Sequence, residues 1–246
     1  MSTSAELAAL IRDRGPAVVL TGAGMSTESG IPDFRSASGL WAQVDPYDVA
    51  SIDAFRRDPL RVWRWYGPRI HSLLAAEPNE GHVALAALER AGHVTAVVTQ
   101  NIDTLHTRAG SRDVTEVHGS IRSFVCLECG RSETLDAVLA QLEGSEAPAC
   151  PACGSTLKPG VVMFGELLPV EAMARAERLV RETALMLVVG SSLEVWPVAG
   201  LPAQAVAAGS ALAIVNRDPT PYDAAATIVV REPAGVTLAA VARELV

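Results

Sequence analysis

The sequence lacks the features of several broad classes of protein. It contains no apolar run of about 18 residues, which excludes a conventional transmembrane helix. Its N-terminal residues lack the basic and apolar segments of a secretory signal, so we expect a cytoplasmic protein. Basic residues are outnumbered, because 20 Lys and Arg against 28 Asp and Glu give a net charge of -8. This charge argues against a protein that coats nucleic acid or binds membranes through anionic lipids.

Aromatic residues are scarce as well, at 4%, whereas apolar residues make up 49% of the 246 residues. This composition supports a sizeable core and excludes a disordered chain. Short unbroken apolar runs, typical of strands buried on both faces, alternate with helical stretches. The first unbroken run covers 17–20, and similar predicted buried strands cover 94–99, 185–189, 211–215 and 227–230. The alternation predicts an α/β fold with a Rossmann-like parallel sheet and helices on both faces.

Two stretches interrupt this alternation. Residues 36–80 contain three of the four tryptophans and are predicted to form a helical insert. Residues 121–160 contain all four cysteines, with glycine and proline between polar runs, and are predicted to form a small module. The Rossmann-like domain is then assigned to 1–35, 81–120 and 161–246.

The cysteines have the spacing of a structural zinc site. They form two C-x-x-C pairs separated by 20 residues: Cys126, Cys129, Cys150 and Cys153. Two residues between thiols let both sulfurs of a pair reach one tetrahedral ion. Gly130 and Gly154 follow the pairs and permit the tight turn that such a pair needs. Because the protein supplies all four ligands, no position is left for water or substrate, and the predicted role of Zn²⁺ is structural.

A glycine-containing loop follows the first predicted strand. Gly22 and Gly24 resemble part of a dinucleotide-binding loop, but Thr27 occupies the position of the third glycine. On these residues alone, the loop is either a nucleotide-binding loop or a tight turn between strand and helix. Arg35 lies shortly beyond it and adds a cation, which favours a backbone cradle for pyrophosphate.

Polar residues also follow the strand at 94–99. Gln100, Asn101 and Asp103 come directly after it. In open α/β sheets, ligands bind beyond the carboxyl ends of the strands, so these side chains are candidate ligand contacts. The alternative is that Asn101 or Asp103 caps a helix, as such residues often do.

His118 is the best candidate for a general base among the five histidines. It follows a predicted strand and precedes Gly119 at the start of the cysteine module, and clefts form at such junctions. The alternative is a histidine with a purely structural role. The other four are expected to be solvated or to cap helices: His71, His82, His93 and His106.

In their order along the chain, these motifs resemble those of the sirtuins, which are NAD-dependent protein lysine deacylases. Besides the four cysteines, the matching segments are 22–26, 30–35, 99–103, 118–120, 162–166, 190–197 and 215–216. Each segment alone is weak evidence, whereas so many in one order are specific. The resemblance implies a Rossmann-like domain, a small zinc domain and a helical insert, with NAD and an acyl-lysine entering a cleft from opposite sides.

The resemblance also implies roles for individual residues. The implied NAD-binding residues are Gly22, Ala23, Gly24, Ser26, Phe34, Arg35, Trp41, Gln100, Asn101, Ile102, Asp103, Gly190, Ser191, Ser192, Asn216, Arg217, Asp218 and Ala234. His118 would accept a proton from a ribose hydroxyl after the acyl oxygen has displaced nicotinamide. The backbone of Val161, Val162 and Phe164, together with 192–195, would clamp the substrate peptide as a strand.

Two positions depart from the family pattern. Lys158 stands where an arginine usually precedes proline, and Met163 stands where an aromatic residue is common. Neither position carries the chemistry, so we expect only adjusted substrate contacts.

The predicted helical insert contains a pair of residues that suits an acidic acyl group. Tyr66 and Arg69 lie three apart, hence on one face of a helix, and a phenol with a guanidinium suits a terminal carboxylate. The pair resembles the Tyr-x-x-Arg of the sirtuin branch that removes succinyl and malonyl groups, and Ala50 would leave space for the longer chain. The alternative is a packed Tyr66 and a solvated Arg69. Gly67-Pro68 between them is expected to bend the helix.

The predicted function is therefore removal of succinyl, malonyl and acetyl groups from protein lysines, with release of nicotinamide and O-acyl-ADP-ribose. Acylated lysines on proteins are the predicted partners, without nucleic acid or membrane. The alternatives are a deacetylase only, an NAD-dependent protein mono-ADP-ribosyltransferase, and a non-enzymatic zinc-bearing NAD-binding module. A nucleic-acid-binding zinc ribbon is disfavoured because acidic residues outnumber basic ones in 121–160.

Overall fold

The computed structural model describes residues 3–246, which divide into two compact units. The first unit contains the described residues up to Ile31, together with Glu77–Val117 and Pro169–Val246. The second contains Pro32–Ala76 and His118–Leu168. Met1 and Ser2, with which the predicted Rossmann-like domain begins, lie outside the described residues.

The regular elements of residues 3–246 are numbered here in chain order. The strands are β1 (Ala17–Thr21), β2 (Val94–Thr99), β3 (Val114–Glu116), β4 (Gly119–Cys126), β5 (Ser132–Thr134), β6 (Leu157–Val161), β7 (Leu185–Val189), β8 (Ala211–Val215) and β9 (Ile228–Val230). The helices are α1 (Thr3–Arg14), α2 (Pro46–Val49), α3 (Ile52–Arg57), α4 (Pro59–Ala75), α5 (Glu80–Arg90), α6 (Leu105–Arg108), α7 (Leu135–Leu142), α8 (Val170–Glu182), α9 (Leu201–Ala207) and α10 (Ala234–Leu245).

The first unit is built on a six-stranded sheet with the order β3-β2-β1-β7-β8-β9. Every neighbouring pair in it is parallel. All residues of β1 and β7 are buried, which explains why these segments are unbroken apolar runs. The strand order changes direction between β1 and β7, the place where doubly wound sheets bind ligands. The Rossmann-like parallel sheet predicted from the sequence is confirmed.

Helices bury their apolar sides on this sheet. One core cluster joins α1, α5 and α10 to the strands and includes Leu7, Leu85, Leu187 and Leu238. The helices α8 and α9 pack on each other, α8 also against β3, and α9 against β7 and β8. Within the part of the chain that the structure describes, no helix combines the length and the apolar surface needed to cross a bilayer.

The second unit combines the predicted insert with the cysteine module. Its three-stranded antiparallel sheet has the order β5-β4-β6. Trp63 of α4 donates a hydrogen bond from Nε1 to the carbonyl oxygen of Leu157 at 2.7 Å and stacks on Phe124 with ring centroids 5.8 Å apart. Trp63 and Phe124 are both completely buried. The segments 36–76 and 121–160 therefore share one core, although the sequence analysis treats them as separate parts.

The four cysteines come together at one end of the small sheet. Their Sγ atoms all lie within 4.8 Å of one another. Three Sγ–Sγ distances are 3.4, 3.6 and 3.7 Å. A tetrahedral Zn²⁺ with Zn–S bonds of about 2.3 Å requires Sγ–Sγ separations of about 3.8 Å, so this donor set fits zinc. Gly130 and Gly154 have φ of 72° and 78°, as predicted for the turn after each pair.

Removal of the metal is expected to destabilise the protein, because the cysteine module then loses the ion that holds its two halves together. A strong chelator, or Cys153→Ser, should lower the melting temperature by about 10 °C, the shift that a loss of about 3 kcal/mol produces in a chain of this size. Zinc content and thermal unfolding are measured on the same samples.

Glu128→Gln provides the matched control, since Glu128 lies between two cysteines of a pair but is exposed. This variant should keep its zinc and its melting temperature. An unchanged melting temperature in the zinc-depleted protein would show that the metal does not stabilise the fold.

Two histidines of the first unit form a buried pair. The ring centroids of His82 and His106 are 4.8 Å apart. His82 Nδ1 accepts a hydrogen bond from the Asn79 backbone in the capping box of α5, as expected for a capping residue. His106 Nε2 is hydrogen-bonded to Thr21 Oγ1 at 2.9 Å. The expectation that His106 is solvated or caps a helix is wrong, because its side chain is buried and hydrogen-bonded to Thr21.

Acid is expected to destabilise the fold through this pair. Burial lowers the pKa of His82 to about 4. Burial and repulsion from His82 lower the pKa of His106 to about 3. Histidine in an unfolded chain takes up a proton near pH 6.5, whereas these two rings stay neutral in the folded state. Above pH 6.5 neither state is protonated, so the free energy of unfolding has its full value there. Stability is lost progressively as the pH falls toward the pKa values of the folded state.

Urea unfolding at pH 7.5 and 5.0 measures this loss. His106→Gln should lose part of the pH dependence of its free energy of unfolding, whereas His71→Gln, at an exposed position, should keep all of it. If wild type and His106→Gln share the same pH dependence, the buried ring does not couple stability to pH.

Candidate active site

The parallel sheet places the carboxyl ends of β1, β2, β7 and β8 at one edge. The segments that follow these strands are 22–26, 100–103, 190–192 and 216–218. They contain every predicted NAD-binding residue of the first unit except Ala234, which begins α10. The sheet therefore brings together residues that lie far apart in the sequence, at the edge where such sheets bind ligands.

Glycines allow the segments after β1 and β7 to approach closely. Gly24 donates its N–H to the carbonyl oxygen of Gly190 at 2.9 Å. A Cβ on Gly22 would lie 2.8 Å from the oxygen of Gly190, and Gly190 itself has a φ of +61°. A side chain at any of these positions would force the segments apart. The loop continues into two 3-10 turns, Ala23–Met25 and Thr27–Ser29, instead of a long α-helix.

A buried hydrogen-bond network connects the ends of β1 and β2. Asn101 Nδ2 donates to the Gly22 carbonyl at 3.0 Å and to Ser26 Oγ at 3.1 Å. Ser26 Oγ donates to Asp103 Oδ2 at 2.7 Å. Asp103 Oδ1 also accepts the N–H of Leu105, the first residue of α6, although the N-cap position of this helix is Thr104. Burial raises the pKa of Asp103, and the hydrogen bond from Ser26 opposes this shift.

Further contacts join the remaining segments of this edge. Gln100 Nε2 donates to Ser191 Oγ at 2.9 Å, which connects the ends of β2 and β7. Asn216 Nδ2 donates to the carbonyl of Asp218 at 2.9 Å, which folds back the segment after β8. Arg217 Nη2 lies 3.5 Å from Thr27 Oγ1, which follows the glycine loop. Ile102 and Ser192 lie on the same edge and are half-buried.

Two threonines missed by the sequence analysis support this edge. Thr21 Oγ1 donates to Thr99 Oγ1 at 2.8 Å, and Thr99 Oγ1 accepts the N–H of Asn101 at 3.0 Å. His106 is bonded to the same Thr21 hydroxyl. The available signal was a threonine as the last residue of both β1 and β2, after a run of apolar residues. Such a hydroxyl is buried with its strand and needs hydrogen-bond partners there.

His118 belongs to the second unit, in the turn that precedes β4. Its side chain is half-buried, and its carbonyl oxygen accepts the N–H of Val162 at 2.8 Å. The following Gly119 has a φ of +75°, and a Cβ there would lie 2.2 Å from the oxygen of Gly160. Only glycine therefore lets β4 approach β6 at this point. This approach fixes the backbone of His118 beside the end of β6.

The predicted peptide clamp is an extended segment after β6. Phe164 donates its N–H to the Ala50 carbonyl, and its own carbonyl accepts the N–H of Ile52, both at 2.9 Å. Val161 pairs with Gly119 across the small sheet. The structure thus brings Val161, Val162 and Phe164 into one segment that is held at both ends.

The predicted NAD-binding residues Phe34, Arg35 and Trp41 also lie in the second unit. Trp41 stacks on Phe34 and on Trp65, with ring centroids 5.0 and 5.7 Å apart, and meets the ring of Phe164 edge-on at 6.3 Å. Arg35 is exposed. Trp41 therefore joins the loop that follows Pro32 to both α4 and the clamp segment.

Tyr66 and Arg69 lie on α4, which continues without a break through Pro68. Tyr66 is 8% exposed, and burial raises the pKa of its hydroxyl. The Arg69 guanidinium lies 4.0 Å from the ring centroid of Trp65, and its Nη1 donates to the Trp65 carbonyl at 2.6 Å. Arg69 Nε and Trp65 Nε1 are buried donors that have no hydrogen-bond partner among residues 3–246. Burial lowers the pKa of Arg69.

This chain is similar to known proteins over nearly its whole length. The model of the Sir2 family matches residues 22–197. The NAD-dependent protein deacetylase of Sulfolobus acidocaldarius is 46% identical over 228 residues, which cover 92% of this chain and 89% of that protein. That of Thermotoga maritima is 44% identical over 219 residues, 89% of each protein.

Solved structures agree with these relatives. A Sir2 protein in complex with a p53 peptide and NAD+ superposes with a TM-score of 0.90 at 41% identity, covering 99% of this chain and 98% of that one. A Sir2 structure with a propionylated peptide gives the same TM-score and coverage at 40% identity. The fold, the order of the strand-end segments and the family match agree, and this chain belongs to the Sir2 family.

Proposed function

We propose that this protein removes acyl groups from protein lysine side chains with NAD as co-substrate, and releases nicotinamide and O-acyl-ADP-ribose. The observation that carries the proposal is the buried network of Asn101, Ser26 and Asp103 at the ligand-binding edge of the sheet. The relatives named NAD-dependent protein deacetylases and the Sir2 complex with NAD+ support it. The cytoplasmic location, and the absence of nucleic-acid and membrane partners, remain predictions.

In this proposal, the first unit binds the dinucleotide. NAD supplies the ribose carbon that receives the acyl oxygen as nicotinamide leaves. The backbone of 22–26 would bind the phosphates, since the glycines leave N–H groups accessible to an anion. Asn101 and Asp103 would bind the nicotinamide and its ribose, and their bonds to Ser26 and to backbone groups hold both side chains before the ligand arrives.

The second unit would bind the acylated lysine and move the proton. His118 would accept a proton from a ribose hydroxyl, a task that suits an imidazole, whose usual pKa is close to neutral pH. The clamp segment would pair with the substrate peptide as an added strand. Its neighbours already hold it extended, so less conformational entropy is lost when the peptide binds.

We further propose that the enzyme prefers succinyl-lysine and malonyl-lysine to acetyl-lysine. Within the part of the chain that the structure describes, the buried donors Arg69 Nε and Trp65 Nε1 lack an acceptor, and Tyr66 lies one turn from Arg69 on α4. Unpaired buried donors are costly, and an acyl carboxylate would satisfy them. Stacking on Trp65 holds the guanidinium in place for this role.

His118→Ala tests the deacylation. Loss of a general base is expected to lower kcat by about 100-fold or more on an acetyl-lysine peptide. The affinity for NAD should change little, because the proposed NAD contacts of the first unit are intact. Product release is followed by mass spectrometry, and NAD binding by calorimetry.

His71→Ala, at an exposed position, is the matched control and should retain full activity. Transfer of a labelled ADP-ribosyl group to protein, without consumption of the acyl-lysine, would instead establish the transferase alternative. Unchanged deacylation by His118→Ala would refute the assigned base.

Arg69→Met tests the acyl preference. The loss of a charge-assisted hydrogen bond of about 1.5–3 kcal/mol should lower kcat/KM on succinyl-lysine peptides by about 10- to 100-fold. Turnover of the acetyl peptide should stay within about twofold, since that acyl group has no carboxylate. Tyr66→Phe, which removes only the hydroxyl, should reduce the succinyl activity in the same direction.

Arg64→Met is the control on the same helix. Arg64 is an exposed arginine that pairs with Glu146 at 2.9 Å, so its loss should alter neither activity. Survival of the succinyl activity in Arg69→Met would remove the carboxylate contact from the proposal and leave a deacetylase.

A further inference from the structure

The only lysine among the 246 residues is buried. Lys158 lies in β6 and is 3% exposed. An ammonium group in the interior is costly unless nearly every N–H has an acceptor and the charge has a partner. The contacts of Lys158 therefore indicate which segment of the protein this buried charge holds in place.

Three acceptors surround the Lys158 ammonium. Its Nζ donates to the carbonyl oxygens of Pro159 at 2.8 Å and Val161 at 2.7 Å. It also forms an ion pair with Glu166 Oε2 at 3.0 Å. An ammonium has three N–H donors, so this set satisfies all of them. Glu166 Oε2 accepts the Met163 N–H at 2.8 Å as well, which closes the segment into a loop around one cation.

This loop contains the residues proposed to bind the substrate peptide. Its Val162 donates to the carbonyl of His118, and its Phe164 pairs with the segment after α2. The path of 161–166 thus depends on Lys158 at one end and on Glu166 at the other. The same path also determines the backbone position of the proposed base.

The ion pair has an electrostatic consequence for the acyl pocket. The ring of Trp65 meets that of Tyr66 edge-on, with centroids 4.7 Å apart. Besides burial, the negative charge of Glu166 raises the pKa of Tyr66, and the positive charge of Arg69 lowers it. Trp41 contacts both Phe164 of the loop and Trp65 beside Arg69. Without Lys158, an uncompensated carboxylate would remain near the pocket proposed for a succinyl carboxylate, and like charges repel each other more strongly at partly buried positions than in bulk water.

We propose that Lys158 is a positioning residue that also determines acyl specificity: its ammonium fixes the peptide-clamping segment and cancels the charge of Glu166 beside the acyl pocket. This inference rests on the proposed function. It adds a residue that touches neither the acyl group nor NAD.

A double-mutant cycle with Lys158→Met, Glu166→Gln and the double variant tests this proposal. Kinetics are measured on acetyl and succinyl forms of one peptide. NAD affinity, zinc content and melting temperature are measured on the same samples. NAD affinity and zinc content report on parts of the protein that the clamp does not include, and the melting temperature reports on the stability of the fold as a whole.

We expect Lys158→Met to raise KM for both peptides by about tenfold, the equivalent of about 1.4 kcal/mol of lost binding. Its ratio of succinyl to acetyl kcat/KM should fall by a further factor of about ten. Glu166→Gln should leave this ratio equal to or above the wild-type value, since Lys158 keeps its charge. The double variant should recover the ratio but not KM, because neutral partners remove the repulsion without restoring the three bonds of the ammonium.

Wild-type kinetics of Lys158→Met, with unchanged KM and ratio, would overturn the inference. A parallel loss of NAD affinity, zinc and thermal stability would overturn it too, because the residue would then support only the fold. These outcomes differ from failure of the proposed function, in which the wild-type protein deacylates neither peptide. If the wild type accepts only acetyl-lysine, the specificity part is refuted, and KM for the acetyl peptide still tests the positioning.

Discussion

The contact between the glycine loop and Gly190 is the constraint on which the ligand-binding edge depends. It exists because β1 lies between β2 and β7 in a parallel sheet, so that the segments after these strands emerge side by side. Gly22 and Gly190 make this approach possible, because a Cβ at either position would meet backbone atoms of the other segment. Ser26 then reaches Asn101 and Asp103, which follow a different strand. A larger residue in this contact would separate groups whose chemistry requires them together.

Buried polar groups hold neighbouring segments in place in both units. Asp103 accepts bonds from a hydroxyl and a backbone N–H, Lys158 donates to three oxygens, and His106 is bonded to Thr21. Each group is costly to bury, and each holds a segment proposed to bind substrate in one position. Arg69 differs from Asp103 and Lys158, because its Nε has no acceptor among the described residues, and His106 Nδ1 likewise has no partner there. The unsatisfied N–H of the guanidinium supports the carboxylate contact in the proposed function.

Much of the fold was predictable because its signals are local. The runs at 94–99, 185–189 and 211–215 coincide with the observed strands β2, β7 and β8. The spacing of the four cysteines alone predicted that they cluster, because two C-x-x-C pairs at this separation are typical of a metal site. The burial of His106 was not predictable, because its short helix carries no apolar pattern of its own. Lys158, expected to adjust only substrate contacts, is the centre of a buried ion pair.

The sequence by itself determined the parallel sheet, the zinc ligands and the set of residues that follow the strands, because apolar periodicity and ligand spacing are properties of neighbouring residues. Only the tertiary structure decided which distant residues meet. It joined the insert and the cysteine module through Trp63, connected Thr21 to Thr99, and buried the one lysine among carbonyl oxygens. Such contacts depend on the path of the whole backbone, and a hydrogen bond between distant residues leaves no periodic trace in the chain.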